Sequence, residues 1–291
     1  MQINLAYFKK KQYLCRMKRT IIQILVWLGV LFACSVVVVI LAYIFLSYKA
    51  EGAEKIAQLK WMQLLSAVGT FLVPPIICAY LWDEHHRPER WLQMDRGAHW
   101  SLFLMAIGIM VVALPAVTLF EHLNHMIPMP QSAIDAEESA KEMMQGFLQM
   151  DTFGDVLVNL GLIAVLPALC EEMTFRGTLQ QILRGEEVDN SSRKTHIAIW
   201  ATAIIFSAIH MQFLGFIPRM MMGALFGYMF VWSGSLWIPI AMHFTNNAIG
   251  VFLYDSNADT MGADVTWCLG VISLVITSLG LLIFYRRTHT R

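Results

Sequence analysis

Eight stretches of this chain are apolar for about as long as a helix needs to cross a bilayer: residues 21–46, 63–82, 100–120, 155–175, 197–213, 216–233, 236–254 and 266–285. The hydrocarbon layer is about 30 Å thick and a helix rises about 1.5 Å per residue, so one span takes roughly 20 residues. Lipid offers no hydrogen bonds to a backbone, and a helix is the structure that satisfies its N–H and C=O groups within one segment. The stretches are too long and continuous for barrel strands. The expected architecture is therefore all-α: a polytopic transmembrane helical bundle of about eight spans. Composition agrees, with 57% hydrophobic residues and 14% charged ones, against about 25% charged in soluble domains. The 21 basic and 21 acidic residues cancel, which gives no reason to expect a nucleic-acid partner. The partners expected are membrane lipid and a peptide or protein substrate, with the oligomeric state left open.

The first apolar stretch has a basic front, like a secretory signal. Its core runs from Ile21 to Leu46 with no small-residue cleavage site, far beyond a signal core of about 7–15 residues, so it reads as a retained anchor. Met17, just before Lys18 and Arg19, is an alternative start to Met1. With the N-terminus inside, all but five of the lysines and arginines fall on cytoplasmic segments; the exceptions are Lys49, Lys55, Lys60, Lys141 and Arg219. Acidic residues Asp135, Glu137, Glu138, Asp255, Asp259 and Asp264 fall on the other side. This bias places both termini in the cytoplasm. The chain divides into a basic cytoplasmic N-terminus (1–20), N-terminal transmembrane helices with an extracytoplasmic loop (21–150), a second transmembrane region (151–285) and a cytoplasmic tail (286–291). Within 121–154 the run from Ala133 to Met150 reads as a helix. The five cysteines, Cys15, Cys34, Cys78, Cys170 and Cys268, are far apart with no CxxC. Neither a disulfide framework nor a thiolate metal site is expected.

Ionisable side chains inside a span cost roughly 2.5–3.5 kcal/mol each, and they persist where they face a partner or a wet cavity. Three groups stand out. Glu171 and Glu172 are followed by Arg176 in the fourth stretch; Glu172 and Arg176 are helical i,i+4 neighbours suited to an ion pair, which leaves Glu171 free. Phe206 precedes His210 by one turn in the fifth. His243 precedes Asn247 by one turn in the seventh, so both project to one side. Each group alone has a plain reading: carboxylates at the headgroup boundary, a structural histidine, interhelical hydrogen bonding.

Taken in order, EExxxR, FxxxH and HxxxN on three separate spans resemble the CPBP intramembrane proteases. This is the CAAX protease and bacteriocin-processing (Abi) family, related to the type II CAAX prenyl endopeptidases. Gly223, Gly227 and the sequence Ser233-Gly234-Ser235-Leu236 share the likeness, which covers about 155–254. The resemblance makes 151–285 the catalytic region. It implies Glu171 as the catalytic glutamate, Glu172 and Arg176 as its supporting pair, and His210, His243 and Asn247 as the remaining site residues.

On that reading the protein is an intramembrane endopeptidase acting on a membrane-associated or lipid-modified substrate. A carboxylate in a low-dielectric cavity is a stronger base than one in water. Glu171 would activate water with His210 orienting it, and His243 and Asn247 would stabilise the oxyanion. No cofactor is favoured. Glu171, His210 and His243 also form a three-ligand set for Zn²⁺ with an open position, although HExxH is absent. A transporter, immunity or scaffold protein is the non-catalytic alternative, and no inverted repeat supports transport. The location expected is the bacterial inner membrane. One geometric tension stands out: drawn as continuous spans, the fifth helix carries His210 about 20 Å from its start and the seventh carries His243 only about 10 Å from its own.

Overall fold

The computed structural model describes residues 2–47, 53–185, 189–254 and 263–289, with side chains in the first helix from Met17 onward. Lys49, Asp255, Asp259 and Arg291, used above to orient the chain, lie outside the described residues, as do the side chains of Lys9, Lys10, Lys11, Arg16 and Asp264. The described residues are helical, with no strand among them. Five helical segments are long and apolar enough to cross a membrane: Met17–Leu46, Glu54–Trp82, Trp100–His125, Phe153–Arg184 and Trp267–His289. They carry broad exposed apolar surface, including Phe32, Val39, Leu104, Leu282 and Ile283, as lipid-facing helices do.

The three other apolar stretches form shorter helices: α10 (Arg193–Ala208, 16 residues), α11 (Phe216–Ser233, 18 residues) and α12 (Trp237–Tyr254, 18 residues). The fifth stretch is thus not one span from 197 to 213. Its helix stops at Ala208, Met211 takes a positive φ of 54°, and His210 sits in the turn that follows. His210 therefore lies beyond the end of its helix and not inside a continuous span. The helix expected in 133–150 runs from Gln131 to Phe147 as α6.

Elsewhere prolines and π turns interrupt long helices. The segment α2 (Ala53–Ser66) continues through a π turn, Ala67–Leu72, into α3 (Val73–Trp82). The fourth stretch is α7 (Phe153–Asn159), a π turn at Leu160–Val165, α8 (Leu166–Thr174), a π turn at Phe175–Gln180 and the short α9 (Gln181–Arg184). Proline has no N–H for the carbonyl four residues back, and other helices supply the missing donor. Pro75 leaves Phe71 O, which accepts from Thr174 Oγ1 at 2.6 Å. Pro167 leaves Ile163 O, which accepts from Asn247 Nδ2 at 3.2 Å.

The central bundle packs α5 (Trp100–His125), α11, α12 and α13 (Ala263–His289) around Ala106, Met110, Phe226, Ile238, Met242 and Phe284. Against its other side, α10 lies on the glycine face of α11. A Cβ on Gly223 would sit 3.2 Å from Ala203 Cα, and one on Gly227 would sit 2.9 Å from Ile199 Cγ2 and 2.7 Å from Gln180 Oε1. Small residues one turn apart are how helices approach closely in lipid. After α11, Gly234 caps the helix in the left-handed conformation (φ 65°). Ser235 Oγ then donates to Arg96 O and Trp237 Nε1 to Met94 O, which fixes the entry to α12.

Gly227→Ala is therefore expected to cost about 1–3 kcal/mol through overpacking, seen as a lower Tm of the full chain in detergent. Gly108→Ala, with nothing within 4 Å of its Cβ, is expected to be neutral or stabilising by up to about 1 kcal/mol.

Candidate active site

The centre of the site is a guanidinium with no access to solvent. Arg176 and Glu172 are both fully buried, and Arg176 Nη1 donates to Glu172 Oε1 at 2.7 Å. Nη2 donates to the carbonyl of Gly223 at 2.9 Å. The guanidinium carbon lies over two aromatic rings, 4.7 Å from the centroid of Phe206 and 5.4 Å from that of Phe226. A desolvated cation gains most from such faces. One turn on, Gln180 Nε2 donates to Gly227 O at 3.1 Å, so the π turn is tied to both glycines of α11.

Glu172 has a second partner. His243 Nδ1 lies 2.9 Å from the same Oε1 that accepts from Arg176. A carboxylate accepts there, so Nδ1 carries the hydrogen and Nε2 points elsewhere, at 3.9 Å from Glu171 Oε2. Phe226 stacks on the His243 ring at 5.3 Å, and Phe206 meets it edge-on. The chain Arg176–Glu172–His243 fixes an imidazole opposite Glu171, a link between two motifs that the spacing of residues did not reveal.

His210 is held differently. Its Nδ1 donates to the carbonyl of Phe206 at 2.8 Å, so the ring caps the last turn of α10. The loop that carries it is pinned from three sides. Asn124, buried at the end of α5, donates to Phe213 O at 2.9 Å and accepts from Ile217 N at 2.8 Å. Ser207 Oγ donates to Phe216 O. Glu137, from α6, accepts from Leu214 N at 3.1 Å.

Glu171, His210, His243 and Asn247 line one cavity of about 180 Å³, together with Phe206, Arg219, Met222, Phe226 and Asn246. Glu172 and Arg176 lie behind its wall. Asn247 is partly committed: besides its bond to Ile163, its Oδ1 accepts from Asn246 Nδ2 at 3.1 Å. Arg219, counted with the outside segments in the charge bias, lines the cavity from the first turn of α11. A single charge in an otherwise apolar stretch was the available signal for it. Asn124 and Glu137 gave no such signal, since polar residues near helix ends and loops are ordinary. Among the described residues no three His, Cys, Asp or Glu side chains converge as a metal-holding group.

Comparison with known proteins turns on the segment that builds this cavity. Residues 153–249 match the family described as type II CAAX prenyl endopeptidase Rce1-like. The chain carries an Rce1-like domain. That domain runs from α7 into α12 and contains each of the seven residues named by the three motifs. A relative, the uncharacterized protein YpbD of Bacillus subtilis (strain 168), is 34% identical over 91 residues, covering 30% of this chain. The match spans 41% of that relative's length. No solved structure matches the chain.

Removing Arg176 alone would strand the Glu172 carboxylate in the Rce1-like core. Arg176→Met is expected to cost about 3–5 kcal/mol, read by thermal denaturation of the full chain. Adding Glu172→Gln should recover part of that loss, because a neutral amide needs no counter-ion. A double variant no better than the single one would contradict the pairing.

Proposed function

We propose that the protein is an intramembrane endopeptidase that hydrolyses a peptide bond of a membrane-associated or lipid-modified substrate, with Glu171 activating the water. The observation that carries this reading is the shared cavity: Glu171, His210 and His243 face it together, with His243 Nε2 3.9 Å from Glu171 Oε2. That gap suits one water bonded to both groups at about 2.8 Å. The prenyl endopeptidase family that residues 153–249 match and the apolar helices around them support the substrate class and a membrane location. A bacterial inner membrane fits the biased distribution of basic residues.

The steps follow from the bonds already in place. Glu171 takes a proton from the water as its oxygen adds to the carbonyl carbon. His210, with Nδ1 spent on Phe206 O, offers Nε2 to the second water hydrogen. His243 donates from Nε2 to the oxyanion in its doubly protonated form, with Glu172 holding the other nitrogen. Asn247 has one N–H beyond the one given to Ile163 and turns it to the same oxygen. Collapse breaks the C–N bond, and Glu171 returns its proton to the leaving amine nitrogen. General base and oxyanion donors of this kind contribute about 100-fold or more each.

Glu171→Ala is expected to reduce cleavage about 100- to 10,000-fold without lowering expression or Tm, measured by comparing the membrane proteome with active and variant copies and then with the cleaved peptide. Cleavage unchanged in Glu171→Ala would sink the assignment and favour a transporter, immunity or scaffold protein. Hydrolysis is expected to persist after exhaustive chelation in a sample verified free of metal. Loss reversed by Zn²⁺ would replace the glutamate mechanism with a metal one.

A further inference from the structure

Arg219 is the cavity residue that the hydrolytic steps leave unused. Its guanidinium is fixed rather than free to swing: Nη1 donates to Gln212 O at 3.2 Å and Nη2 to Gln212 Oε1 at 2.9 Å. Both partners are neutral. Among the described residues no carboxylate lies within ion-pair distance of it. Glu137, Glu171 and Glu121 act on it only from farther away, and Glu137 is already bonded to Leu214 N. A half-buried cation that lines a cavity with no ionic partner is costly unless an anion joins it.

We propose that Arg219, held by Gln212, binds a carboxylate of the substrate and so sets which peptides enter the cavity. The substrate chemistry rests on the peptidase reading; the anion site itself does not. A guanidinium presents its remaining N–H groups as a planar fork that matches a carboxylate. The fork shares one cavity with Glu171 and His243, so a carboxylate bound there lies in the same space as the scissile bond. Peptides carry carboxylates at the chain terminus and on acidic side chains, and the fork accepts either. The oxyanion of the reaction is the competing use of this charge.

Binding separates these uses without needing a cleaved substrate. Three probes are titrated calorimetrically into the full chain in detergent: lauroyl-Ala-Ala with a free carboxyl, its amide, and lauroyl-Ala-Asp amide. The wild type is expected to bind an acid about tenfold more tightly than the neutral amide, the scale of one charge-assisted hydrogen bond. Preference for the first acid identifies a terminal carboxylate, and preference for the second a side chain. Arg219→Gln should erase the preference and Arg219→Lys should keep part of it, so the lysine variant serves if the glutamine one does not fold. Glu171→Ala should retain it. Equal binding of all three probes by the wild type overturns the proposal. So does a preference that survives in Arg219→Gln, and if hydrolysis then falls equally on acid and amide substrates, Arg219 serves the oxyanion instead. A preference retained while Glu171→Ala still cleaves would leave the anion site standing and remove the mechanism above.

Discussion

The site is organised around one buried ion pair. Arg176 and Glu172 have no contact with solvent, and two charges in a low-dielectric interior are tolerated only when both are well bonded. The groups that bond them are the ones that define the cavity. The carbonyl of Gly223 brings in α11, the rings of Phe206 and Phe226 bring in α10 and α11, and His243 brings in α12. Compensating the charge therefore assembles four helices in one arrangement. Glu171, one residue from Glu172, is turned by the helix toward the cavity as a consequence.

A second constraint is the supply of orphaned backbone groups in lipid, where an unsatisfied carbonyl is expensive. Pro75 and Pro167 each release one, and each is taken by a side chain from another helix. In α5, Pro115 precedes a similar repair: Ala116 N donates to Ser273 Oγ, which in turn donates to Val112 O. The breaks do more than bend helices. π turns bracket Leu166–Thr174 on both sides, and such turns change the direction of side chains along a helix. Asn247 thus has two employments, a structural one at Ile163 and one at the cavity, and each restricts its rotamer for the other.

What could be read from the sequence was whatever depends on local spacing. Helical periodicity set Glu172 against Arg176 and put His243 and Asn247 on one side, and the apolar stretches gave an all-helical chain. Three relations were beyond that reach. The break after Ala208 depends on Asn124 and Glu137, distant residues that satisfy the loop backbone. The pairing of His243 with Glu172 joins residues 71 positions apart. Arg219 stands in the sequence as one charge near the start of an apolar stretch, and its place on the cavity wall follows from the packing of α11.

Charge neutrality explains why the same volume can host both a buried pair and a reaction. Glu171 and Glu172 carry two negative charges; Arg176 and Arg219 carry two positive ones and do not titrate near neutrality. These four charges sum to zero, and the doubly protonated His243 of the hydrolytic step adds one positive charge opposite the oxyanion. A proton moving from water to Glu171 and on to an amine then shifts charge within the cavity without creating a net charge in low dielectric, where uncompensated charge costs most. Removing either arginine would break that balance, and the two are anchored by different means: Arg176 by a permanent carboxylate, Arg219 by a neutral amide that leaves its charge available.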